Sequence, residues 1–440
     1  MVAKKVSVIG GYGGMGQLFS KFFRKQGLDV VITGPNSRRG GEVAGKLGVE
    51  YVKDNVESVS DADVVVITVP IRKTLKVIEE VAPQVKAGAL LMDLTSVKTE
   101  PYELMLKHAS KGVEVLGCHP VFGPRVTSFE GQVFVLCSAD KGVKYVWFRG
   151  LLQDEKAKIV ESTAKEHDQV MAVVQGLTHF TYISVAETFR RLDFDVKRSR
   201  EFSSPVYDLM LDMIGRIAGQ DPRLYAEIQM NNPHVVGVHK TYLECALKTA
   251  ENVEYKNEKA FVSDMLASAK HFGDVESAMG RSDKAINLAG YELKKLKELT
   301  GERICLKHIY TGTMHYGVIE YVDADRIVLS DNGVKRDLKI ANIRLTSTIE
   351  KNAFRKNKYG LSSRDYSVLI PKHADEERIR QVVGELFDVY SVCVKDVYMG
   401  DNIPSNMQSV CLNVKHFADT LDVVDTKVRG FFAQMGWNLR

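Results

Sequence analysis

The stretch Val6–Gly16, which reads VSVIGGYGGMG, decides the fold of the N-terminal part of this chain. Gly11, Gly13 and Gly16 fit the spacing G-x-G-x-x-G and follow a short apolar run typical of a β-strand. In such a loop the first glycine makes a tight turn, the second lets backbone amides approach a pyrophosphate, and the third lets the next helix pack against the strand. The helix N-terminus adds donor amides and a partial positive charge. The stretch therefore predicts a dinucleotide-binding unit, with cofactor contacts at Gly11, Gly13, Gly14, Met15 and Gly16.

Asp29–Thr33 is the second predicted strand, and the residues that follow it indicate which of two dinucleotides the protein binds. A site for NAD usually carries Asp or Glu near the end of this strand, where the carboxylate accepts hydrogen bonds from the ribose 2′-hydroxyl. Here the chain has no carboxylate, and two arginines stand where a 2′-phosphate would lie. We therefore predict NADP in preference to NAD, although arginines in a loop are often only solvated surface charge. The expected contacts at this end are Asn36, Ser37, Arg38 and Arg39.

The composition of the 440 residues argues against several classes of protein. Lys plus Arg number 60 against 56 for Asp plus Glu, and this small excess gives no general case for a nucleic-acid binder. We find no apolar run of membrane-spanning length and no room for a signal peptide before the first strand, so a cytoplasmic protein is expected. The six cysteines occur singly, without a C-x-x-C pair, which argues against a metal site or a disulfide framework.

The pattern of the chain changes several times along its length. Over residues 1–162 β-branched runs alternate with helical stretches, as in a doubly wound parallel sheet of Rossmann type in the α/β class. Residues 163–300 are predicted to be all helical and open with a capping box, Thr163-x-x-Glu166. Residues 301–350 show short strands and the hairpin signal Asn332-Gly333, which predict a small SH3-like or Sm-like β-barrel. The basic segment Lys351–Lys358 is interpreted as a linker.

The last segment, residues 361–440, predicts a ferredoxin-like α+β domain. Its apolar periodicities give the order strand, helix, strand, strand, helix, strand. Nine Lys or Arg stand against eleven Asp or Glu, a net charge of −2 that makes a poor phosphate-binding surface.

Four polar clusters lie where a Rossmann-type enzyme keeps its substrate groups, past the strands of the sheet and on the helical domain. Taken singly, each has an ordinary structural explanation, since a buried histidine is often a hydrogen-bonded core residue. Taken together after a dinucleotide fold, they indicate an active site. The clusters are Asp93–Lys98 (DLTSVK), His119–Pro124 (HPVFGP), Gln175–Phe180 (QGLTHF), and Ser204–Tyr207 with Gly215–Pro222 (SPVY and GRIAGQDP).

This ordered set of motifs resembles the prephenate dehydrogenase family, which includes arogenate and cyclohexadienyl dehydrogenases of tyrosine biosynthesis. The resemblance covers about residues 1–290, with one small departure at Val121, where the family more often carries Met. It implies oxidative decarboxylation of prephenate to 4-hydroxyphenylpyruvate with hydride transfer to NAD(P), and a homodimer built by the helical domain. Arogenate is the alternative substrate.

The resemblance also implies roles for four residues. His119 would take the proton of the C4 hydroxyl, a task that suits a neutral imidazole. Ser96 would orient that hydroxyl or the imidazole. Arg216 would hold a substrate carboxylate through two parallel hydrogen bonds, and His179 would contact substrate or cofactor from the helical side.

The C-terminal segment resembles the ferredoxin-fold anticodon-binding module of phenylalanyl-tRNA synthetase chains. The resemblance rests on four stretches: Arg364-Asp365-Tyr366 opening the first strand, Phe387–Tyr390, Thr420-Leu421 and Gly436–Arg440. Because the segment is acidic, we favour a regulatory or assembly role, with an aromatic amino acid as effector, over nucleic-acid contact. An RNA-binding or regulatory protein on a retired dehydrogenase scaffold is the alternative from another class, and the joint presence of Ser96, His119, His179 and Arg216 argues against it.

Overall fold

A computed structural model describes residues 3–386 and 388–440. The chain divides into two compact units, Met1–Gly280 and Arg281–Arg440. Within the described residues, no helix has the length and apolar character needed to cross a membrane.

The first unit begins with an eight-stranded sheet in the order β3-β2-β1-β4-β5-β6-β7-β8. The strands are β1 Lys5–Ile9, β2 Asp29–Thr33, β3 Glu50–Val52, β4 Val64–Ile67, β5 Leu90–Asp93, β6 Glu114–Pro120, β7 Val133–Cys137 and β8 Lys158–Ser162. The helices are α1 Gly14–Lys25, α2 Ser37–Leu47, α3 Asn55–Val59, α4 Ile71–Val81, α5 Thr99–His108 and α6 Val143–Asp154. This confirms the predicted Rossmann-type sheet.

One pairing departs from the predicted all-parallel sheet. Strands β6 and β7 run antiparallel, with Gly117 opposite Cys137 and Pro120 opposite Phe134. A parallel pair needs a crossover that is usually helical, and the described connection between Pro120 and Val133 contains no helix. The chain therefore returns directly beside β6.

The inner strands of the sheet are buried on both faces, as helices on both sides require. Successive strand residues point to opposite faces, and along β4 Val64 and Val66 pack into one core cluster whereas Val65 and Ile67 pack into the other. This explains why the strands read as continuous apolar runs rather than as alternating ones.

The rest of the first unit is helical. The helices are α7 Ala164–Met171, α8 Thr178–Arg191, α9 Val196–Ser199, α10 Pro205–Ala218, α11 Pro222–Asn231, α12 Val235–Glu254, α13 Glu258–Phe272 and α14 Val275–Glu298, the last of which ends in the second unit. A π-helical segment, Ala172–Leu177, joins α7 to α8. The predicted capping box forms only in part: the Thr163 side chain accepts from the Glu166 N–H, but the Glu166 carboxylate accepts from the Ser162 hydroxyl.

The second unit contains two small sheets. The first is antiparallel with the order β12-β11-β10-β9-β13, and its strands are β9 Arg303–His308, β10 Met314–Val322, β11 Arg326–Asp331, β12 Val334–Lys339 and β13 Ile343–Leu345. Asn332 and Gly333 have φ angles of 51° and 80° and form the predicted hairpin turn between β11 and β12.

The second small sheet has the order β15-β16-β14-β17 and is antiparallel throughout. Its elements are β14 Leu361–Pro371, α16 Glu376–Gly384, β15 Val389–Tyr398, β16 Met407–Phe417, α17 Leu421–Gln434 and β17 Asn438–Leu439, which confirms the ferredoxin-like order. Two details differ: the first strand opens at Leu361, so Arg364–Tyr366 lies inside it, and Phe387 of the anticodon-module resemblance lies outside the described residues.

The interpretation of Lys351–Lys358 as a linker is wrong. Thr348–Tyr359 forms helix α15, which begins with a full capping box between Ser347 and Glu350. A solvated linker would leave its charges in water, but the Arg355 side chain is buried. Its guanidinium is bound to Asp388 and lies 3.9 Å from the ring centroid of Phe417.

Candidate active site

The glycine loop between β1 and α1 packs too closely on its neighbours to accommodate side chains. Gly10 has a φ of 79°, so the tight turn falls one residue before the predicted Gly11. A Cβ on Gly11 would lie 2.5 Å from the Ile32 side chain, and one on Gly16 would lie 2.6 Å from the Gly10 carbonyl oxygen. No side chain at the N-cap, Gly13, covers the first amides of α1. This loop fits a pyrophosphate on the helix N-terminus.

The other two residues predicted in this loop face protein. A Cβ on Gly14 would lie 2.7 Å from the Cγ atom of Pro124, which belongs to the HPVFGP motif. Met15 packs against the core of the sheet. A contact from either residue to a dinucleotide would therefore come from its backbone amide.

The residues after β2 form the first turn of α2. Asn36 is the N-cap, and its side chain accepts a hydrogen bond of 3.0 Å from the Arg39 N–H. The Ser37 hydroxyl lies 3.4 Å from the Tyr51 hydroxyl, which donates to the Gly34 carbonyl. The turn after β2 is thus tied down at both ends.

The two arginines of this turn have different surroundings. Arg38 forms an ion pair of 3.2 Å with Glu42 on the exposed face of α2. The Arg39 guanidinium instead lies 5.2 Å from the ring centroid of Tyr12 in the glycine loop. A Cβ at position 34 would overlap the Tyr12 ring, so this ring position depends on Gly34. Arg39 is therefore the arginine held beside the loop that would carry the cofactor.

A series of three buried, hydrogen-bonded side chains begins at His119, which lies within β6. Its Nδ1 atom is 2.7 Å from Nε2 of His167, and Nδ1 of His167 is 2.9 Å from Oδ1 of Asp168. Asp168 also accepts hydrogen bonds of 2.8 Å from the backbone N–H groups of Lys98 and Thr99. The carboxylate is therefore fixed by the DLTSVK segment.

The partners in this series determine which nitrogen of His119 is free. An ionised Asp168 can only accept, so Nδ1 of His167 donates to it and Nε2 of His167 accepts from Nδ1–H of His119. The remaining Nε2 of His119 carries a lone pair and lies 3.4 Å from the side-chain nitrogen of Gln175, in the π-helical segment. His119 thus presents a basic nitrogen to the helical domain.

Burial and neighbouring charges keep both histidines neutral. Burial lowers the pKa of His119 well below its usual value, and the nearby His167 and Lys98 lower it further. Burial also lowers the pKa of His167. Burial alone would raise the pKa of Asp168, but hydrogen bonds from His167, Thr99 and Lys98 outweigh it and lower the pKa to about 2.

A buried ion pair lies next to this series. The Lys98 ammonium binds Asp93, and neither side chain is exposed to solvent. Thr95 donates to the same carboxylate oxygen of Asp93 through its backbone N–H, at 3.0 Å, and through its hydroxyl. A Cβ on Gly117 would lie 3.1 Å from the Cδ atom of Lys98, so this glycine gives the lysine its space under β6.

The helical side supplies His179, Tyr225 and Arg216. The rings of His179 and Tyr225 meet edge to face with centroids 4.7 Å apart. Nδ1 of His179 is buried without a hydrogen-bond partner, and burial lowers its pKa. Burial raises the pKa of Tyr225, an effect that the charge of the exposed Arg216 partly offsets.

The structure thus connects most of the predicted site residues. Gln175 contacts His119 and lies one turn before His179, which packs on Tyr225 near Arg216. Ser96 is half-buried after β5, next to Val97, which packs against Ile228 of α11.

Sequence reasoning missed His167, Asp168 and Tyr225, and it named Gln175 within a cluster without assigning it a role. The available signal was the adjacent His167-Asp168 pair in the first helix after the sheet. A histidine beside a carboxylate is a common tautomer-fixing arrangement, but the distance of 48 residues to His119 concealed the partnership.

Comparisons with known families match most of the first unit. The family described as "Prephenate dehydrogenase, nucleotide-binding domain" matches residues 19–161. The family described as "Prephenate dehydrogenase, dimerization domain" matches residues 163–267.

Individual proteins show the same similarity. A "Probable arogenate/prephenate dehydrogenase" of Methanocaldococcus jannaschii is 37% identical over 414 residues, covering 93% of this chain and 92% of the relative. A "T-protein" of Haemophilus influenzae is 31% identical over 291 residues, covering 66% of this chain and 73% of that protein. The crystal structure of a prephenate dehydrogenase from A. aeolicus, in complex with hydroxyphenyl propionate and NAD+, aligns with a TM-score of 0.52 at 18% identity, over 63% of this chain and 99% of that one.

Proposed function

The chain belongs to the prephenate dehydrogenase family, and we propose that it converts prephenate to 4-hydroxyphenylpyruvate by oxidative decarboxylation with NADP. The observation that carries this proposal is the His119–His167–Asp168 chain, which leaves the basic Nε2 of His119 toward the helical domain. Such a nitrogen can accept a hydroxyl proton.

The cofactor would bind at the glycine loop, where Gly11 and Gly16 let the loop pack closely on Ile32 and Gly10, and Gly13 leaves the amides of α1 uncapped. When bound, NADP supplies the acceptor for the hydride that leaves C4 of the substrate. His119 accepts the proton of the C4 hydroxyl through Nε2 as that group becomes a carbonyl. Loss of the ring carboxylate as carbon dioxide leaves its electron pair in the ring, and the resulting phenolate regains the proton from His119.

The helical domain supplies the groups that hold the substrate. Arg216 is exposed beside Tyr225 and can bind a carboxylate through two N–H groups. The unpartnered Nδ1 of His179 is available to a polar group of the ligand. Ser96, in the segment that follows β5, orients the C4 hydroxyl or the His119 ring.

Replacing the proposed base tests this function. His119→Asn should lower kcat by roughly 10² to 10⁴, the usual range for loss of general acid–base catalysis. NADPH binding, measured by fluorescence, should stay at the wild-type level because the glycine loop is untouched. A near-normal kcat would exclude His119 as the base.

Replacing the proposed clamp is a separate test. Arg216→Ala should mainly raise KM for the substrate, since the arginine binds ground state and transition state alike. An unchanged KM would count against this assignment.

Arogenate is the second candidate substrate, because the relative from Methanocaldococcus jannaschii is named for both substrates. Its side chain carries an ammonium group, so it differs in charge from prephenate. Steady-state assays with each substrate, each with NADP and with NAD, distinguish the candidates by kcat/KM.

We also propose a homodimer built by the helical domain, since the matched family is described as a dimerization domain.

For the second unit we propose regulation by an aromatic amino acid. Hydrogen exchange of the full chain with L-tyrosine and with L-phenylalanine tests this: protection within residues 361–440 supports the regulatory role, and protection confined to the first unit removes it.

A further inference from the structure

The nucleotide-binding and helical parts of the first unit are joined by an ion pair that the proposed chemistry does not use. Arg72 lies in the first turn of α4, and Glu227 lies on α11. The Arg72 guanidinium binds the Glu227 carboxylate, whose other oxygen lies 3.4 Å from the backbone N–H of Arg72. The Glu227 side chain is only 12% exposed, against 50% for Arg72, so the carboxylate is largely held by protein.

The ion pair stands beside an apolar contact between the same two elements. Ile71 and Val97 of the nucleotide-binding part pack against Ile228 of α11 in a small buried cluster. Val97 directly follows Ser96 along the chain. This apolar contact therefore places α11 close to Ser96, one of the proposed catalytic residues.

Helix α11 also carries Tyr225, which contacts a residue proposed to bind the substrate. Tyr225 lies two residues before Glu227 and packs on the ring of His179. On the other side of the ion pair, the turn before α4 borders the glycine loop: a Cβ on Gly10 would lie 3.0 Å from the Val69 side chain. The ion pair thus joins α4, whose preceding turn borders the glycine loop, to the helix that presents Tyr225.

We propose that Arg72 and Glu227 are positioning residues, a latch that holds α11 so that Tyr225, packed on His179, keeps the distance from Ser96 and His119 that catalysis needs. This inference rests on the proposed function. Neither residue touches the reacting atoms. Breaking the ion pair lets α11 shift against the sheet, which changes the relative placement of the two halves of the substrate site but leaves the glycine loop itself unchanged.

Charge reversal and charge exchange test the latch. Arg72→Glu and Glu227→Arg each place like charges in contact, so each should lower kcat/KM for the substrate by roughly 10- to 100-fold, the scale for a small misplacement of reacting groups. The dissociation constant of NADP should not change. The double variant Arg72→Glu with Glu227→Arg restores opposite charges, and should recover kcat/KM to within a few fold of wild type.

Lys25→Glu is the matched control, because Lys25 forms an ion pair of 2.7 Å with Glu155 inside the nucleotide-binding part. Its kcat/KM should equal that of the wild type. Single variants with unchanged kcat/KM would overturn the latch, and so would a double variant as impaired as the single ones or a matching loss of NADP affinity. If the wild-type protein itself turns over neither prephenate nor arogenate, the proposed function fails instead.

Discussion

The chemical state of His119 depends on the residues around it more than on imidazole itself. A free histidine is about half protonated near pH 6.5, whereas burial, His167 and Lys98 hold the pKa of His119 well below that value. Asp168 stays ionised, because its hydrogen bonds lower its pKa to about 2, and through His167 it keeps the His119 proton on Nδ1. The same contacts that bury the ring thus prepare Nε2 as an acceptor.

The lowered pKa of His119 predicts the pH dependence of activity. The neutral ring is the active form, and it persists to lower pH when the pKa falls, so activity should be lost on acidification only below pH 6.5. The acid limb of the pH profile of kcat/KM for the substrate measures this pKa, because kcat/KM reports ionisations of the free enzyme. An acid limb at or above pH 6.5 would contradict the neutral buried state.

The surroundings of Arg38 and Arg39 predict which of the two binds the 2′-phosphate of NADP. Arg39 lies beside Tyr12, whereas Arg38 is paired with Glu42. Arg39→Ala should therefore lower kcat/KM for NADP by roughly 10- to 100-fold, the effect of losing a hydrogen bond to a charged group, and change that for NAD little. Arg38→Ala is the control and should have the smaller effect. A larger loss from Arg38→Ala, or a wild-type enzyme that prefers NAD, would refute this assignment.

At the scale of secondary-structure elements, α15 shows how a charged segment can be structural. Arg355 contacts both small sheets of the second unit: it binds Asp388, stacks on Phe417 and lies 5.5 Å from the ring centroid of Tyr316 in β10. Lys358 extends the same contacts by binding Asp331 at 3.0 Å. The helix therefore connects the five-stranded sheet to the ferredoxin-like sheet.

Removal of the buried guanidinium should destabilise the second unit. Arg355→Met leaves Asp388 without its buried partner, so the free energy of unfolding should fall by about 3 kcal/mol, as for other buried ion pairs that lose one member. Lys356→Met, at an exposed position of the same helix, should cost less than about 1 kcal/mol. Urea unfolding monitored on the second unit measures both changes, and equal effects would show that Arg355 does not carry this coupling.

At the scale of the whole molecule, the helical domain leaves much apolar surface uncovered within one chain. None of the residues of α13, all of them described, is buried, and α12 buries only Val235. Several large apolar side chains on these helices are more than 60% exposed, among them Leu247, Met265 and Leu266. Large exposed apolar surface is typical of a protein–protein interface.

We predict that the chain is a dimer at micromolar concentration, because amphipathic helices without a core of their own need a second apolar surface. Sedimentation velocity measures the state directly. Leu266→Glu, which places a charge on the exposed face of α13, should shift the population toward monomer, whereas Lys356→Met in the second unit should not. A wild-type monomer at these concentrations would remove the prediction.

The sequence by itself determined what depends on residues close together along the chain. The glycine spacing after β1, the hairpin turn at Asn332-Gly333 and the βαββαβ order of the last segment follow from turn chemistry and periodicity within a few residues. The candidate residues His119, His179 and Arg216 were identified from motifs of the same local kind.

Only the tertiary structure decided which residues become partners. The antiparallel β6–β7 pair, the bonding of His119 to His167 and Asp168, the packing of Tyr225 on His179 and the burial of Arg355 all join residues far apart in the chain. In particular, a sequence does not show whether a charged side chain is solvated or buried. Only packing by distant segments determines the environment of that side chain. Contacts between distant residues contribute to stability only after the chain has folded, so no local sequence pattern predicts them.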